Sequence, residues 1–224
     1  MPGAGRSRLP PISLVLGGAR SGKSRYAEQL VETAASCGTY CATAEPGDAE
    51  MAERIAAHRA RRGPFWHTVE APLALGQAIA AEAAPERPVL VDCLTLWLSN
   101  LLLAGRQWSD EADRLRRVLR EVAGPVVLVS NEVGMGLVPE TPLGRRFRDA
   151  AARLNQDFAA LAAALRLAAG PVVLVANEVG MDLVPQTPLG RRFRDAAGRL
   201  NQETAALADR VVLVAAGLPL VLKG

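Results

Sequence analysis

Ile12-Ser-Leu-Val-Leu16 runs directly into Gly17-Gly18-Ala19-Arg20-Ser21-Gly22-Lys23-Ser24. Beyond it, Ala27, Leu30 and Val31 share one face of a helix that the spacing predicts from Ser21 to about Ala35. An apolar run this short, bounded by turn signals, reads as a buried strand. The octet fits G-x-x-x-x-G-K-[ST], which means a phosphate-binding loop when a strand precedes it and a helix follows. Both flanks are present. The spacing has a physical cause. Glycines let the backbone curl until several N–H groups converge on phosphate oxygens. The helix adds the positive end of its dipole at the same place. Lys23 brings a compact ammonium near the β and γ phosphates, and Ser24 offers a hydroxyl to Mg2+. Lys23 and Lys223 are the only lysines among 26 basic residues. A lysine kept here in an arginine-rich chain supports the reading, because a planar guanidinium does not replace an ammonium.

Outward from the loop, strands are predicted over 39–43, 88–92 and 211–214. Helices are predicted over 49–61, 73–84, 94–103 and 110–122. Residues 1–11 read as a loose Pro/Gly/Arg tail, and 12–224 as a single domain. Short apolar strands alternating with helices predict an α/β fold: a mostly parallel sheet with helices on both faces, here of the P-loop NTPase type.

One unit is duplicated. Gly124-Pro-Val-Val-Leu-Val-Ser-Asn-Glu-Val-Gly-Met135 returns 46 residues later as Gly170-Pro-Val-Val-Leu-Val-Ala-Asn-Glu-Val-Gly-Met181. Between 124–156 and 170–202 only Ser130/Ala176, Gly136/Asp182, Glu140/Gln186 and Ala152/Gly198 differ. Each copy (124–169 and 170–215) reads as a strand, a Pro/Gly loop and a helix from near Thr141 or Thr187. Two copies are too few for a solenoid. Removing 46 residues from 224 leaves 178, a plausible single domain.

Composition narrows the classes. Half the residues are hydrophobic and 22% are charged, which excludes a disordered chain. The net charge of +3 lacks the dense basic stripe of a nucleic-acid binder. Cys37, Cys41 and Cys93 fit no disulfide framework or zinc spacing, so a reducing cytoplasm is expected. The apolar stretch 158–176 is interrupted by Arg166 and Gly170-Pro171, so no stable membrane insertion is expected.

Other residues could carry chemistry. Asp92 ends an apolar strand, as an acid serving a metal or substrate would; a strand-end aspartate that caps the next helix is the plain alternative. His58 lies among Arg54, Arg59, Arg61 and Arg62. These cations disfavour the imidazolium and gather polyphosphate, leaving a neutral nitrogen that could attack phosphorus. On the residues alone, a solvated surface histidine is the commoner case, and His67 has no functional signal. Residues 131–135 and 177–181 follow strands at the edge where such sheets bind ligands; they either contact substrate or shape a turn. Arg145–Arg148 and Arg191–Arg194 read as solvated faces.

Several motifs stand in one order: Gly17 to Ser24, Arg54-Ile-x-x-His58, Trp66…Glu70, Asp92-Cys-Leu-Thr…Asn100-Leu-Leu, Asn-Glu-Val-Gly-Met-x-Leu-Val-Pro and Phe-Arg-Asp-Ala-Ala-x-Arg-Leu-Asn-Gln. With one repeat copy set aside, the chain resembles the bifunctional adenosylcobinamide kinases/adenosylcobinamide-phosphate guanylyltransferases of cobalamin biosynthesis. The resemblance implies a RecA-like fold and two reactions. A nucleoside triphosphate, ATP or GTP, phosphorylates the aminopropanol hydroxyl of adenosylcobinamide. GTP then gives GMP to a histidine, and the cobinamide phosphate takes it up. The guanylylated histidine falls on His58. Ala42, Thr43, Ala44, Arg62 and Glu70 fall on nucleotide contacts, and Asp92 on the acid position, where some members have Glu. Mg2+ on Ser24 and Asp92, and a homo-oligomer such as a trimer, are also implied. The second copy is expected in the central strand position, because it leads into the last strand. The first is then an insertion, an added edge strand and helix, or a segment swapped between subunits. Two other readings stay open: a different small-molecule P-loop kinase, and a non-catalytic nucleotide-binding paralogue.

Overall fold

The computed structural model describes residues 9–18, 21–46, 49–130, 168–176, 198 and 201–224. Ala19, Arg20, most of the expected tail, both post-strand motifs, both arginine runs and the starts of both repeat helices lie outside these residues. The elements are β1 (Ile12–Leu16), α1 (Lys23–Ala34), β2 (Gly38–Ala42), α2 (Ala49–Arg61), β3 (Trp66–Glu70), α3 (Leu75–Glu82) and β4 (Val89–Asp92). They continue with α4 (Leu94–Leu103), α5 (Trp108–Glu121), β5 (Val126–Val129), β6 (Val172–Ala176), β7 (Arg210–Ala215) and β8 (Leu218–Lys223).

Among the described residues the strands form one sheet in the order β3-β2-β4-β5-β6-β1-β7-β8. All neighbours are parallel except β7 and β8. The apolar runs explain this. Val126-Val-Leu-Val129 is buried throughout, as a strand covered on both faces must be. One face packs Leu75, Ile79, Trp97, Leu98, Leu115 and Leu119 of α3, α4 and α5. The other packs Ala27 and Val31 of α1 with Tyr40, Trp66 and Leu90. Helices thus cover both faces, as expected. No helix among the described residues is long and apolar enough to cross a membrane, and 172–176 of the suspect stretch is β6.

The structure differs from the sequence reading at three places. First, the first repeat copy is not an edge addition. β5 and β6 are adjacent, in register and both interior. The second copy does take the place beside β1. Each copy carries a strand apolar on both sides, so each can be buried between two neighbours. Second, β3 is an added strand. Its alternating exposure leaves too short an apolar run to read from sequence. Third, β7 is followed by β8, an antiparallel edge strand exposed along its whole length. Ala216 and Gly217, with φ of 50° and 80°, make the two-residue turn between them, the geometry that matches strand twist.

Candidate active site

β1 delivers the glycine-rich loop. Gly17 N–H donates to the Ala176 carbonyl of β6 at 3.2 Å, and Ser21 N–H donates to the Gly18 carbonyl at 3.2 Å. Gly22 caps α1 with φ of 95°, a conformation that side chains other than hydrogen strain. A Cβ on Gly17 would lie 2.3 Å from Ser21 Oγ and 2.7 Å from the Val214 carbonyl oxygen. Lys23 is only 5% exposed. Its Nζ donates to the Gly18 carbonyl at 3.4 Å, so the ammonium is folded back over its own loop. Ser21 Oγ is buried without a hydrogen-bond partner. The β7–β8 turn braces the loop from the far side: Gly217 N–H donates to the Ser21 carbonyl at 2.8 Å. That brace was not legible beforehand, because Pro219 within Leu218–Lys223 argues against a strand there.

A second cluster forms at the ends of β2, β3 and β4. In the β2–β4 register Ala42 lies opposite Asp92 and Tyr40 opposite Leu90, so Tyr40 and Asp92 project on one face. The Tyr40 hydroxyl donates to Asp92 Oδ2 at 2.5 Å. Burial, with the Asp92 charge next and its hydrogen bond after, pushes the Tyr40 hydroxyl pKa well above its ordinary value. The Arg62 guanidinium carbon lies 3.4 Å from the Tyr40 ring centroid, a cation–π contact. Arg62 also reaches Thr68 Oγ1 at 3.4 Å. Arg59 pairs with Glu70. These two arginines tie the end of α2, which carries the exposed His58, to β2 and β3. The exposed Arg59–Glu70 pair adds little stability, whereas the stacked Arg62 sets the docking.

The turn after β2 is bolted to the end of β4. Thr43 Oγ1 accepts from Cys93 N–H and donates to the Cys93 carbonyl, both at 2.8 Å. Thr43 N–H donates to the Asp92 carbonyl at 3.2 Å. Buried Asn100 donates from Nδ2 to the carbonyls of Thr43 at 2.7 Å and Pro72 at 3.2 Å. The structure therefore brings Ala42, Thr43, Arg62, Glu70 and Asp92 into one region, and α1, which begins at the phosphate loop, packs Ala27 and Val31 against Tyr40 and Leu90 of the same strands. Sequence reasoning missed Tyr40 and Thr68. Only the strand register, a long-range property, places Tyr40 under Asp92.

A profile of cobinamide kinases / cobinamide phosphate guanyltransferases matches the chain over residues 13–170 and again over 159–222. The chain belongs to this family. The bifunctional adenosylcobalamin biosynthesis protein CobP of Pseudomonas aeruginosa is 51% identical over 148 residues, covering 65% of this chain and 86% of its own length. The CobU proteins of Salmonella typhimurium and Escherichia coli are each 43% identical over 164 residues, covering 66% of this chain and 90% of theirs. Each profile match contains one repeat copy, so this cobinamide kinase/guanyltransferase carries one strand–loop–helix unit more than a single match requires.

Among the described residues no three His, Cys, Asp or Glu side chains come together to hold a metal ion. Ser24 in the first turn of α1 and Asp92 at the end of β4 carry hard oxygen donors of the kind Mg2+ takes and could hold that ion, which would neutralise phosphate charge.

Proposed function

We propose that this chain is built for two phosphorus transfers. A nucleoside triphosphate phosphorylates the aminopropanol hydroxyl of adenosylcobinamide, and GTP then supplies GMP to give adenosylcobinamide-GDP. The reading is supported by family membership and by one local observation. The helix bearing His58 is anchored through Arg59 and Arg62 onto Glu70 and Tyr40, beside the Asp92 strand end.

In the first transfer the loop N–H groups and Lys23 neutralise charge on the phosphoryl oxygens while the substrate hydroxyl attacks in line. Asp92 is the acid placed to orient that hydroxyl. In the second, a neutral His58 nitrogen attacks the α phosphorus of GTP. An N–P bond forms, the bond to the bridging oxygen breaks and pyrophosphate leaves. A phosphate oxygen of the cobinamide phosphate then attacks the same phosphorus and releases the imidazole. Glu70 and residues 42–44 contact the nucleotide, and Arg62 takes part of the phosphate charge.

The test is incubation with GTP labelled at the α phosphate. The expected result is an acid-labile, base-stable protein label that disappears in His58→Ala. A label that persists in His58→Ala removes His58 from the chemistry. Nucleotide binding with neither transfer leaves a non-catalytic binding protein.

A further inference from the structure

Tyr40 is only 1% exposed, and it carries one charged partner on its hydroxyl and another on its ring. The hydroxyl donates to Asp92 Oδ2 at 2.5 Å. The ring face carries the Arg62 guanidinium, whose carbon lies 3.4 Å from the centroid. Trp66 of β3 meets the ring edge-to-face, with centroids 5.7 Å apart. Trp66 Nε1 donates in turn to Glu32 of α1 at 2.9 Å. The ring is thus held in place by β3 and, through it, by α1.

Each charged partner matters to one transfer. A carboxylate has two acceptor oxygens, and a donor fixed on one of them sets the plane of the group. With Tyr40 on Oδ2, Oδ1 is the oxygen that keeps all its lone pairs for the substrate hydroxyl. On the ring side, Arg62 directly follows α2, and His58 stands four residues before it, the spacing of neighbours on one helical face. A guanidinium stacked flat on a ring keeps its N–H groups at its edges. Arg62 can therefore hold phosphate while the ring holds Arg62.

We propose, on the two-transfer reading above, that Tyr40 is a positioning residue for both reactions: its hydroxyl sets the Asp92 carboxylate for phosphorylation, and its ring seats Arg62, and with it the His58 end of α2, for guanylyl transfer. The two roles are separable. Tyr40→Phe removes the hydroxyl and keeps the ring, and Tyr40→Leu removes both.

The experiment measures both transfers in the full-length parent, Tyr40→Phe, Tyr40→Leu and Arg62→Gln, each below its Tm. In Tyr40→Phe, kcat for phosphorylation of adenosylcobinamide is expected to fall about tenfold further than the rate of labelling by α-labelled GTP, with KM for both kinase substrates within about twofold of the parent. Restoring the ring is expected to rescue labelling: Tyr40→Phe labels about tenfold faster than Tyr40→Leu. A merely structural tyrosine would lower both transfers together. Trypsin, which cuts after Arg54 and Arg59 of α2, reports the seating without turnover. Tyr40→Leu and Arg62→Gln are expected to be cut there several-fold faster than Tyr40→Phe. Arg62→Gln leaves the buried ring intact, so the seating is still measured if Tyr40→Leu does not fold. Equal losses of both transfers in Tyr40→Phe overturn the proposal, as does an unchanged kcat, or cleavage no faster in Arg62→Gln than in the parent. In each of these cases the parent's own two transfers leave the family reading standing. A parent that transfers neither group overturns the family reading and the proposal with it.

Discussion

Tyr40→Phe removes one hydroxyl and leaves the ring that Arg62 and Trp66 pack against. No cavity forms, so the loss isolates the hydrogen bond to Asp92 Oδ2. Hydrogen bonds to charged groups are worth about 1.5–3 kcal/mol net. Asp92 is half-buried, so water recovers part of this, and about 1.5 kcal/mol is expected. For a chain of this size that lowers Tm by about 3–6 °C. The alkaline limb gives a sharper test. The Tyr40 pKa is raised in the folded state, first by burial and then by Asp92. Below about pH 10 the hydroxyl is protonated in both states and its contribution is whole. Above that, the unfolded tyrosine ionises and the folded one does not. The unfolded state then binds fewer protons and stability falls as pH rises, by about 1.4 kcal/mol per pH unit for one proton. Urea unfolding between pH 9.5 and 11.5 measures both effects. Tyr40→Phe should lose stability less steeply above pH 10 than the parent, by that one proton. Parallel slopes would refute the assignment of a buried, Asp92-bonded hydroxyl. A Tm unchanged at pH 7 would refute the energetic weight given to the bond.

Other outcomes follow from the same contacts. Gly17→Ala pushes a methyl group against the Val214 carbonyl, which is backbone and cannot yield cheaply; titration calorimetry should show at least about tenfold weaker GTP binding. Asn100→Leu strands the carbonyls of Thr43 and Pro72 and should cost about 2–4 kcal/mol in urea unfolding. Burial, with a smaller contribution from Glu82, pushes the Cys41 thiol up to about 12 from 9.0. Its stabilising contribution is therefore whole below about pH 9 and is lost as pH rises toward 12. A thiol reagent at pH 8 should modify Cys37 alone in the folded protein, and all three cysteines in denaturant; rapid reaction of a second thiol without denaturant would show that the β2 or β4 strand end opens.

The phosphate loop was legible because its chemistry is local: eight consecutive residues, with a strand before and a helix after, set their own geometry. The parallel sheet was legible for a similar reason, since strands buried on both faces leave unbroken apolar runs such as Val126–Val129. β3 and β8 were not, because each has only a partly apolar or an exposed run and is held by its neighbours' hydrogen bonds. Tyr40 was invisible as a site residue. An aromatic in a strand is ordinary until the register sets it under Asp92 from a segment 52 residues away.

The duplication marks the boundary most clearly. That two equivalent strands exist follows from side-chain type and order, which the chain carries in itself. That both are accommodated side by side, between β4 and β1, emerges only when the whole sheet assembles. Strand pairing is a competition among all available edges, and two identical edges leave every local signal equal. What resolves it is the closure of the whole sheet, in which a second apolar strand is better covered inside than left exposed at a rim.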